Sequence, residues 1–143
     1  MTGIDTTWLV DLEIIDSPRH DSAMKLFDQF RNEQHSVLAV YHQIFLEFQH
    51  IVTDPRRFNS PLTVEESIRR CWFWIEQERI KVIYPSYDSL KIAQLWMNMY
   101  KLGRNRIQDT NMAAAYAQAG VSGIITANPK DFQIFNTFDL IQY

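Results

Sequence analysis

Short apolar segments alternate with longer amphipathic segments along the chain, and this alternation is the feature that most constrains the fold. The short segments are rich in β-branched residues and predict strands at residues 3–5, 36–41, 80–84, 121–125 and 138–141. The longer segments carry apolar side chains at helical spacing and predict helices at 19–33, 42–53, 63–78, 89–102 and 109–120. Because strands that alternate with helices pair in parallel, the sequence predicts an α/β fold with a central, mainly parallel sheet.

The length and composition indicate one globular domain covering residues 1–143, since 46% of the residues are hydrophobic and 22% are charged. No run approaches the roughly 18 consecutive apolar residues that span a membrane, so we expect no membrane partner. The amino-terminal segment has no basic residue ahead of its apolar part, so we expect a cytoplasmic protein. The single cysteine, Cys71, excludes an internal disulfide and a cysteine-based zinc site, and we interpret it as a packing residue.

Three aspartates lie at predicted junctions between strands and helices. Asp5 ends the first strand, Asp109 begins a helix, and Asp131 follows the strand at 121–125. Since the carboxyl ends of parallel strands and the amino ends of the following helices share one edge of a sheet, these side chains are able to converge. Glu47 lies about 40° around its helix from Ile51, so its carboxylate borders the apolar face.

Carboxylates that converge repel one another and take up protons unless a cation relieves the repulsion. An all-oxygen cluster suits Mg²⁺ or Mn²⁺, which leave positions for water and phosphate oxygens, and the corresponding reaction is metal-assisted phosphodiester hydrolysis. The net charge of −3 argues against a domain that binds nucleic acid through an excess of basic residues. If four acids belong to such a site, thirteen remain against fourteen Lys and Arg, so a phosphate substrate is compatible with the composition.

Three segments together resemble PIN-domain ribonucleases of the VapC toxin group, in order and in spacing: GIDTTWLVDL, FLEFQHIVTDPRRFNSPLTVEES and GRNRIQDTNMAAAYAQAGVSGIITANPKDF. The resemblance implies a three-layer α/β/α PIN-like fold and an endoribonuclease that depends on Mg²⁺ or Mn²⁺. It also implies an RNA substrate (tRNA, rRNA or mRNA), a small cognate antitoxin and a homodimer.

On the positions that match the family pattern, the resemblance assigns the catalytic and metal-binding roles to Asp5, Glu47, Asp109 and Asp131. The same pattern implies supporting roles for Thr6, Thr126 and Asn128. Many members of the group carry an aspartate where this chain has Asn128.

Two alternatives stay open: a PIN-like protein that has lost catalysis and serves as an RNA-binding or oligomerisation module, and a structure-specific DNA nuclease. The remaining interpretations concern residues outside the acid set. Arg56, Arg57, Arg104 and Arg106 are either contacts to RNA phosphates or solvated loop cations, and Asp11, Asp16, Asp54, Asp88 and Asp139 are turn or surface residues. Helical spacing predicts that Ile68, Trp72 and Ile75 face inward, as do Ile92, Leu95, Trp96 and Met99, and we interpret Trp72, Phe73 and Trp74 as core and dimer interface.

Overall fold

The described residues, 1–33 and 36–143 of a computed structural model, contain five strands and seven helices. The strands are β1 (Thr2–Ile4), β2 (Leu38–Tyr41), β3 (Ile80–Ile83), β4 (Gly123–Ile125) and β5 (Asp139–Ile141). The helices are α1 (Thr6–Glu13), α2 (His20–Asn32), α3 (His42–Val52), α4 (Val64–Ile75), α5 (Tyr87–Met99), α6 (Ile107–Gln118) and the short α7 (Lys130–Gln133). No helix within these ranges is both long enough and apolar enough to cross a membrane.

All five strands run parallel, in the order β3-β2-β1-β4-β5, with β1 at the centre. The predicted α/β class with a central parallel sheet is therefore confirmed. The strand order reverses direction at β1, and right-handed connections then place helices on both faces of the sheet. β2 is buried along its whole length, as its continuous apolar run requires for a strand covered on both faces.

α6 brings Asp109 to the carboxyl edge of the sheet, although the helix begins two residues earlier than predicted. It starts at Ile107, directly after a 3-10 turn at Arg104–Arg106, so Asp109 lies in the first turn and does not open the helix. Gly120 follows the helix with a φ of 76°, a conformation that favours glycine, and confirms the predicted stop. Three small side chains of α6 are fully buried, so the helix packs closely; they are Ala113, Ala114 and Ala115.

The predicted inward face of α4 is wrong for Ile68 and Trp72, whereas Ile75 is partly buried and packs against the core as predicted. Ile68 and Trp72 are 42% and 56% exposed, and Phe73 is exposed as well. The buried residues of the helix are Ser67, Cys71 and Trp74. The Trp74 indole N–H donates to Glu13 Oε1 at 2.6 Å, and this contact with the end of α1 turns Trp74 inward. Of the three neighbouring aromatic residues, only Trp74 belongs to the core.

The inward face of α5 differs from the prediction at Leu95 and Met99, whereas Trp96 is partly buried and packs against the core as predicted. Leu95 and Met99 are each 57% exposed. The buried residues are Ser89 and Ala93, one helical turn apart. These small residues allow α5 to approach α6 closely, and close approach of the backbones leaves the longer apolar side chains at the rim of the contact.

Asp11 is a buried residue of α1, which corrects its interpretation as a turn or surface acid. Its carboxylate accepts hydrogen bonds from the Ser17 hydroxyl, from Arg19 Nε at 2.8 Å and from the Tyr143 hydroxyl at 2.7 Å. Burial disfavours ionisation, but these hydrogen bonds outweigh it and lower the pKa of Asp11. The network joins α1 to the start of α2 and to the segment after β5.

Candidate active site

A small cavity outside the carboxyl ends of β1 and β2 is shared by three of the four predicted acids. Asp5 follows β1 directly, Glu47 lies on α3, and Asp109 lies in the first turn of α6. These three acids line a cavity of about 40 Å³, which we call the acid cavity; its other lining residues are Thr6, Tyr41, Gln43, Ile44, Gln108 and Met112. This is the edge at which parallel α/β sheets bind ligands.

Asp5 is oriented by two threonine hydroxyls. Its Oδ2 accepts hydrogen bonds from Thr126 Oγ1 at 2.8 Å and from Thr7 Oγ1 at 3.0 Å. The Asn128 backbone N–H donates to Thr126 Oγ1 at 2.9 Å. Thr126 and Asn128 therefore act in series on Asp5. Since Asn128 contributes through its backbone, this contact does not depend on an aspartate at that position.

Glu47 is an exposed residue, but a hydrogen bond from a buried side chain holds its carboxylate in place. The Thr6 hydroxyl donates to Glu47 Oε2 at 2.6 Å, and Thr6 itself is buried. A second contact crosses the cavity, because Gln43 Nε2 on α3 donates to Gln108 Oε1 on α6 at 2.6 Å. The two contacts join α3 to the elements that carry Asp5 and Asp109.

The acid cavity carries more negative charge than its surroundings stabilise. Burial raises the pKa of Asp5 and the nearby Glu47 adds to the rise, although hydrogen bonds from Thr126 and Thr7 oppose it. Burial also raises the pKa of Asp109 to about 6, with a further contribution from Asp131 that Arg106 partly offsets. Raised carboxyl pKa values in a cleft are typical of sites that hold a cation or perform acid–base chemistry.

Asp131 is not among the residues that line the acid cavity, because it is paired with Arg106. Arg106 Nη1 donates to Asp131 Oδ1 at 2.6 Å, and Nη2 donates to the Asp131 carbonyl oxygen. Arg106 Nε lies 3.8 Å from Asp109 Oδ2, so the guanidinium sits between the two acids. Asp131 remains close enough for its charge to raise the pKa of Asp109.

Arg106 is thus a site residue that sequence analysis left undecided between an RNA contact and a solvated cation. Its side chain is 23% exposed, which excludes the second interpretation. The available signal was its position three residues before Asp109, because side chains at this spacing meet on one face of a helix. Thr7 is a second site residue that the sequence did not single out, and a hydroxyl two residues after a candidate acid carries little signal.

The donor set of the acid cavity fits a hard divalent cation. Asp5, Glu47 and Asp109 supply only oxygen ligands, as Mg²⁺ and Mn²⁺ prefer. As the side chains stand, no three acidic, histidine or cysteine residues within 1–33 and 36–143 are grouped closely enough to hold one ion.

Comparison with known proteins gives different results for sequence and for structure. The sequence matches no protein-family model and no curated protein. VapC20 of Mycobacterium tuberculosis, a Sarcin-Ricin loop cleaving toxin, is 14% identical and superposes with a TM-score of 0.66 over 87% of each chain. VapBC-1 from nontypeable Haemophilus influenzae is 20% identical, with a TM-score of 0.70 over 99% of this chain and 96% of its own. VapBC2 from Rickettsia felis, bound to a DNA fragment from its promoter, is 14% identical with a TM-score of 0.65 over 99% of this chain and 98% of its own.

These similarities cover almost the whole chain and establish its fold. The chain has the VapC PIN-like fold, and the predicted three-layer α/β/α architecture is confirmed.

Proposed function

We propose that this chain is a VapC-type PIN-domain endoribonuclease that uses Mg²⁺ or Mn²⁺ to hydrolyse RNA phosphodiester bonds, and that it is the toxin of a toxin–antitoxin pair. One observation carries the proposal: within a VapC fold, the carboxylates of Asp5, Glu47 and Asp109 line one cavity at the carboxyl edge of the sheet. The raised pKa values of Asp5 and Asp109 support a cation in that cavity. An RNA substrate (tRNA, rRNA or mRNA) is supported by VapC20, which is a Sarcin-Ricin loop cleaving toxin.

Each residue of the acid cavity has a role that follows from its position. A bound Mg²⁺ or Mn²⁺ would supply activation of a water and shielding of the phosphate charge. Asp5, oriented by Thr126, and Asp109 are partly buried and would be oxygen ligands of the cation. Glu47 is more exposed and is placed to complete the ligand set or to accept the proton of the attacking water.

Arg106 and Asp131 form the second part of the proposed site. Arg106 pairs with Asp131 in the RNA-free protein. Phosphate oxygens bind a guanidinium as well as a carboxylate does. An RNA phosphate that takes over Arg106 would free the Asp131 carboxylate to serve as the fourth acid.

The activity is tested with purified protein, RNA and Mg²⁺ or Mn²⁺. Asp5→Asn and Asp109→Asn should each abolish cleavage while the far-UV circular dichroism spectrum stays unchanged, because each removes one negative ligand and keeps the side-chain shape. Asp21→Asn on α2 is a matched control that removes an exposed carboxylate outside the site and should leave cleavage intact. Full activity in either site variant would refute the proposed site.

The proposed partners are a small cognate antitoxin and a second copy of this chain, in the cytoplasm. The antitoxin is supported by the similar structures, several of which are VapBC complexes. Growth arrest on expression, relieved by the product of a small neighbouring open reading frame, is the expected result for a toxin. Sedimentation of the purified protein should give the mass of a homodimer, for which exposed Trp72 and Phe73 offer apolar surface.

A non-catalytic RNA-binding or oligomerisation module is the second candidate. The observation that favours it is the pairing of Asp131 with Arg106, which withdraws one predicted acid from the cavity. Calorimetric titration with Mn²⁺ separates the candidates, because a module without catalysis has no need for a cation at Asp5 and Asp109. Saturable binding that Asp109→Asn abolishes favours the nuclease, and absence of binding favours the module.

A further inference from the structure

The two neighbours of β1 differ in how far they pair with it toward the acid cavity. With β4, pairing extends through Ile4 and Ile125, and the Asp5 N–H then donates to the Ile125 carbonyl at 2.9 Å. With β2, pairing ends one residue earlier, at Gly3 and Ala39. The β1–β2 gap therefore opens just before the position of the first acid.

The missing rung can be identified from the phase of the ladder. Thr2 N–H donates to the Val37 carbonyl at 3.0 Å, and parallel ladders continue at intervals of two residues. The rung next to the cavity would therefore run from the Tyr41 N–H to the Ile4 carbonyl.

A tyrosine hydroxyl occupies this rung. Tyr116 Oη accepts a hydrogen bond from the Tyr41 N–H at 3.0 Å and donates its proton to the Ile4 carbonyl at 2.8 Å. The Ala39 carbonyl, at 3.0 Å, is a second acceptor within reach. A direct rung would hold nitrogen and oxygen about 2.9 Å apart. The inserted hydroxyl satisfies both backbone groups while holding the two strands further apart than a direct rung would.

The surroundings of Tyr116 fit this role. The side chain is fully buried, and burial raises the pKa of Tyr116, so the hydroxyl keeps the proton that it donates. The ring fits because residue 3 is glycine: a Cβ on Gly3 would lie 2.6 Å from Tyr116 Cε2. We call the position where the Tyr116 hydroxyl replaces the direct hydrogen bond between Tyr41 and Ile4 the split rung. Nonpolar packing alone does not require a hydroxyl at this position, whereas the split rung does.

The split rung lies directly beneath the acid cavity. Asp5 follows Ile4, and α3 with Glu47 begins immediately after Tyr41. Met112, one helical turn before Tyr116 on α6, lines the cavity itself. The separation of Ile4 from Tyr41 therefore determines the distance between the carboxylates of Asp5 and Glu47.

We propose that Tyr116 is a positioning residue whose hydroxyl, inserted between Ile4 and Tyr41, sets the spacing of Asp5 and Glu47 for the cation and the water. The inference rests on the proposed nuclease function. It adds to that function a residue that touches neither RNA nor cation and acts through the separation of two strands.

Tyr116→Phe tests the inference because it keeps the ring and removes only the hydroxyl. The Tyr41 N–H and the Ile4 carbonyl then either bond directly, which closes the gap, or stay unpaired. Closure of the gap displaces Asp5 relative to Glu47, whereas unpaired backbone groups leave the spacing of Asp5 and Glu47 without the hydrogen bonds that fix it. We expect Mn²⁺ affinity, measured by calorimetry without RNA, and kcat to fall by about 10- to 100-fold, the range typical of groups that orient metal ligands. The KM for RNA should stay unchanged, because no RNA contact is removed.

Val52→Ala is the matched control for lost stability. Val52 is fully buried at the end of α3, and its truncation destabilises the core without touching the split rung. This variant should unfold at lower temperature yet keep Mn²⁺ affinity and kcat. If Val52→Ala lowers Mn²⁺ affinity as much as Tyr116→Phe does, the effect reports stability alone and the inference is overturned.

Two further measurements separate this inference from the nuclease proposal. A wild-type protein that neither binds Mn²⁺ nor cleaves RNA overturns the nuclease proposal, and this result needs no variant. If the wild type does both and Tyr116→Phe matches it in Mn²⁺ affinity and kcat, only the inference about Tyr116 is overturned. Crystal structures of wild type and Tyr116→Phe give a readout independent of activity, since an unchanged Ile4–Tyr41 separation also overturns it.

Discussion

Among single residues, Asp109 shows most directly that the acid cavity is not built for stability. Its pKa is raised from 3.8 to about 6, so the folded protein disfavours the ionised form. Below pH 3.8, Asp109 is protonated in both the folded and the unfolded chain, so its ionisation does not destabilise the fold. The destabilisation grows as the pH rises from 3.8 to 6 and reaches its full size above pH 6. Because about a third of the side chain is exposed, solvent screening reduces the cost to about 1 kcal/mol.

Asp109→Asn should therefore stabilise the metal-free protein at pH 7.5 while it abolishes activity. We expect the melting temperature in EDTA to rise by about 3 °C, and the gain to shrink toward zero as the pH falls to 4. Differential scanning calorimetry at several pH values measures this. Asp21→Asn, the exposed control, should give no such gain, and a loss of stability in Asp109→Asn at pH 7.5 would contradict the assignment.

The pair of Arg106 and Asp131 predicts a measurable coupling between two residues 25 positions apart. In a double-mutant cycle of Arg106→Gln and Asp131→Asn, unfolding free energies should show a coupling of about 1 kcal/mol. Asp131→Asn should also weaken Mn²⁺ binding less than Asp109→Asn, because only Asp109 lines the acid cavity in the absence of RNA. Equal losses of Mn²⁺ affinity would place Asp131 among the primary ligands.

The sequence was sufficient to predict the position of the acids that the backbone brings to the sheet edge. It was insufficient to predict which side chains these acids pair with. Asp5 and Asp109 lie at element ends, so the parallel sheet alone brings them to one edge. Whether Asp131 turns to that cavity or to Arg106 depends on side-chain competition that spacing does not encode. Tyr116 escaped notice for a similar reason, since a tyrosine within a run of alanines is read as a core residue.

At the level of whole elements, the network around Asp11 fixes α1, the helix that follows Asp5, and predicts an acid-sensitive contribution to stability. The pKa of Asp11 is lowered, so the contribution is present above its ordinary value of 3.8 and is lost as the pH falls through the lowered pKa. Tyr143→Phe removes one hydrogen bond to this buried carboxylate and should cost about 1 kcal/mol at pH 7.

Urea unfolding of Tyr143→Phe at pH 7 and at pH 3 tests this, and the difference from wild type should be smaller at pH 3. Tyr84→Phe removes the hydroxyl of an exposed tyrosine and should leave stability unchanged at both pH values. A deficit in Tyr143→Phe that does not decrease in acid would show that the Tyr143 hydroxyl acts independently of Asp11 ionisation.

The five strands and the five longer helices were predictable, whereas the short helices α1 and α7 and the inward faces of α4 and α5 were not. Helical spacing identifies an apolar stripe but does not say which stripe meets the sheet when a helix carries several apolar residues. The contact of Trp74 with Glu13 determines which face of α4 is buried, and the small residues Ser89 and Ala93 determine which face of α5 is buried. Both depend on a neighbouring helix. The stripes that remain outside, with Trp72 and Leu95, are surface that the sequence assigned to the core.

For the whole molecule, Mn²⁺ should act as a stabilising ligand whose effect depends on pH. A cation at 100 times its dissociation constant stabilises the folded state by about 2.7 kcal/mol. Protons compete for Asp109, whose pKa is about 6, so the Mn²⁺-induced rise in melting temperature should increase between pH 5 and pH 7. EDTA should reverse it, and Asp109→Asn should lack it. A stabilisation that is independent of pH would place the cation elsewhere.

The close approach of Gly3 to Tyr116 also has a hereditary consequence. Since a Cβ at position 3 would collide with the ring, position 3 can take a larger residue only if position 116 also changes. In a saturation library screened for variants that still arrest growth, larger residues at position 3 should occur only together with smaller residues at position 116. A smaller residue at position 116 should fit beside Gly3 without a clash, but it should lower activity because it lacks the tyrosine hydroxyl. A lineage in which residue 3 becomes larger must therefore also change residue 116, so substitutions in the first strand depend on the residue present in the sixth helix.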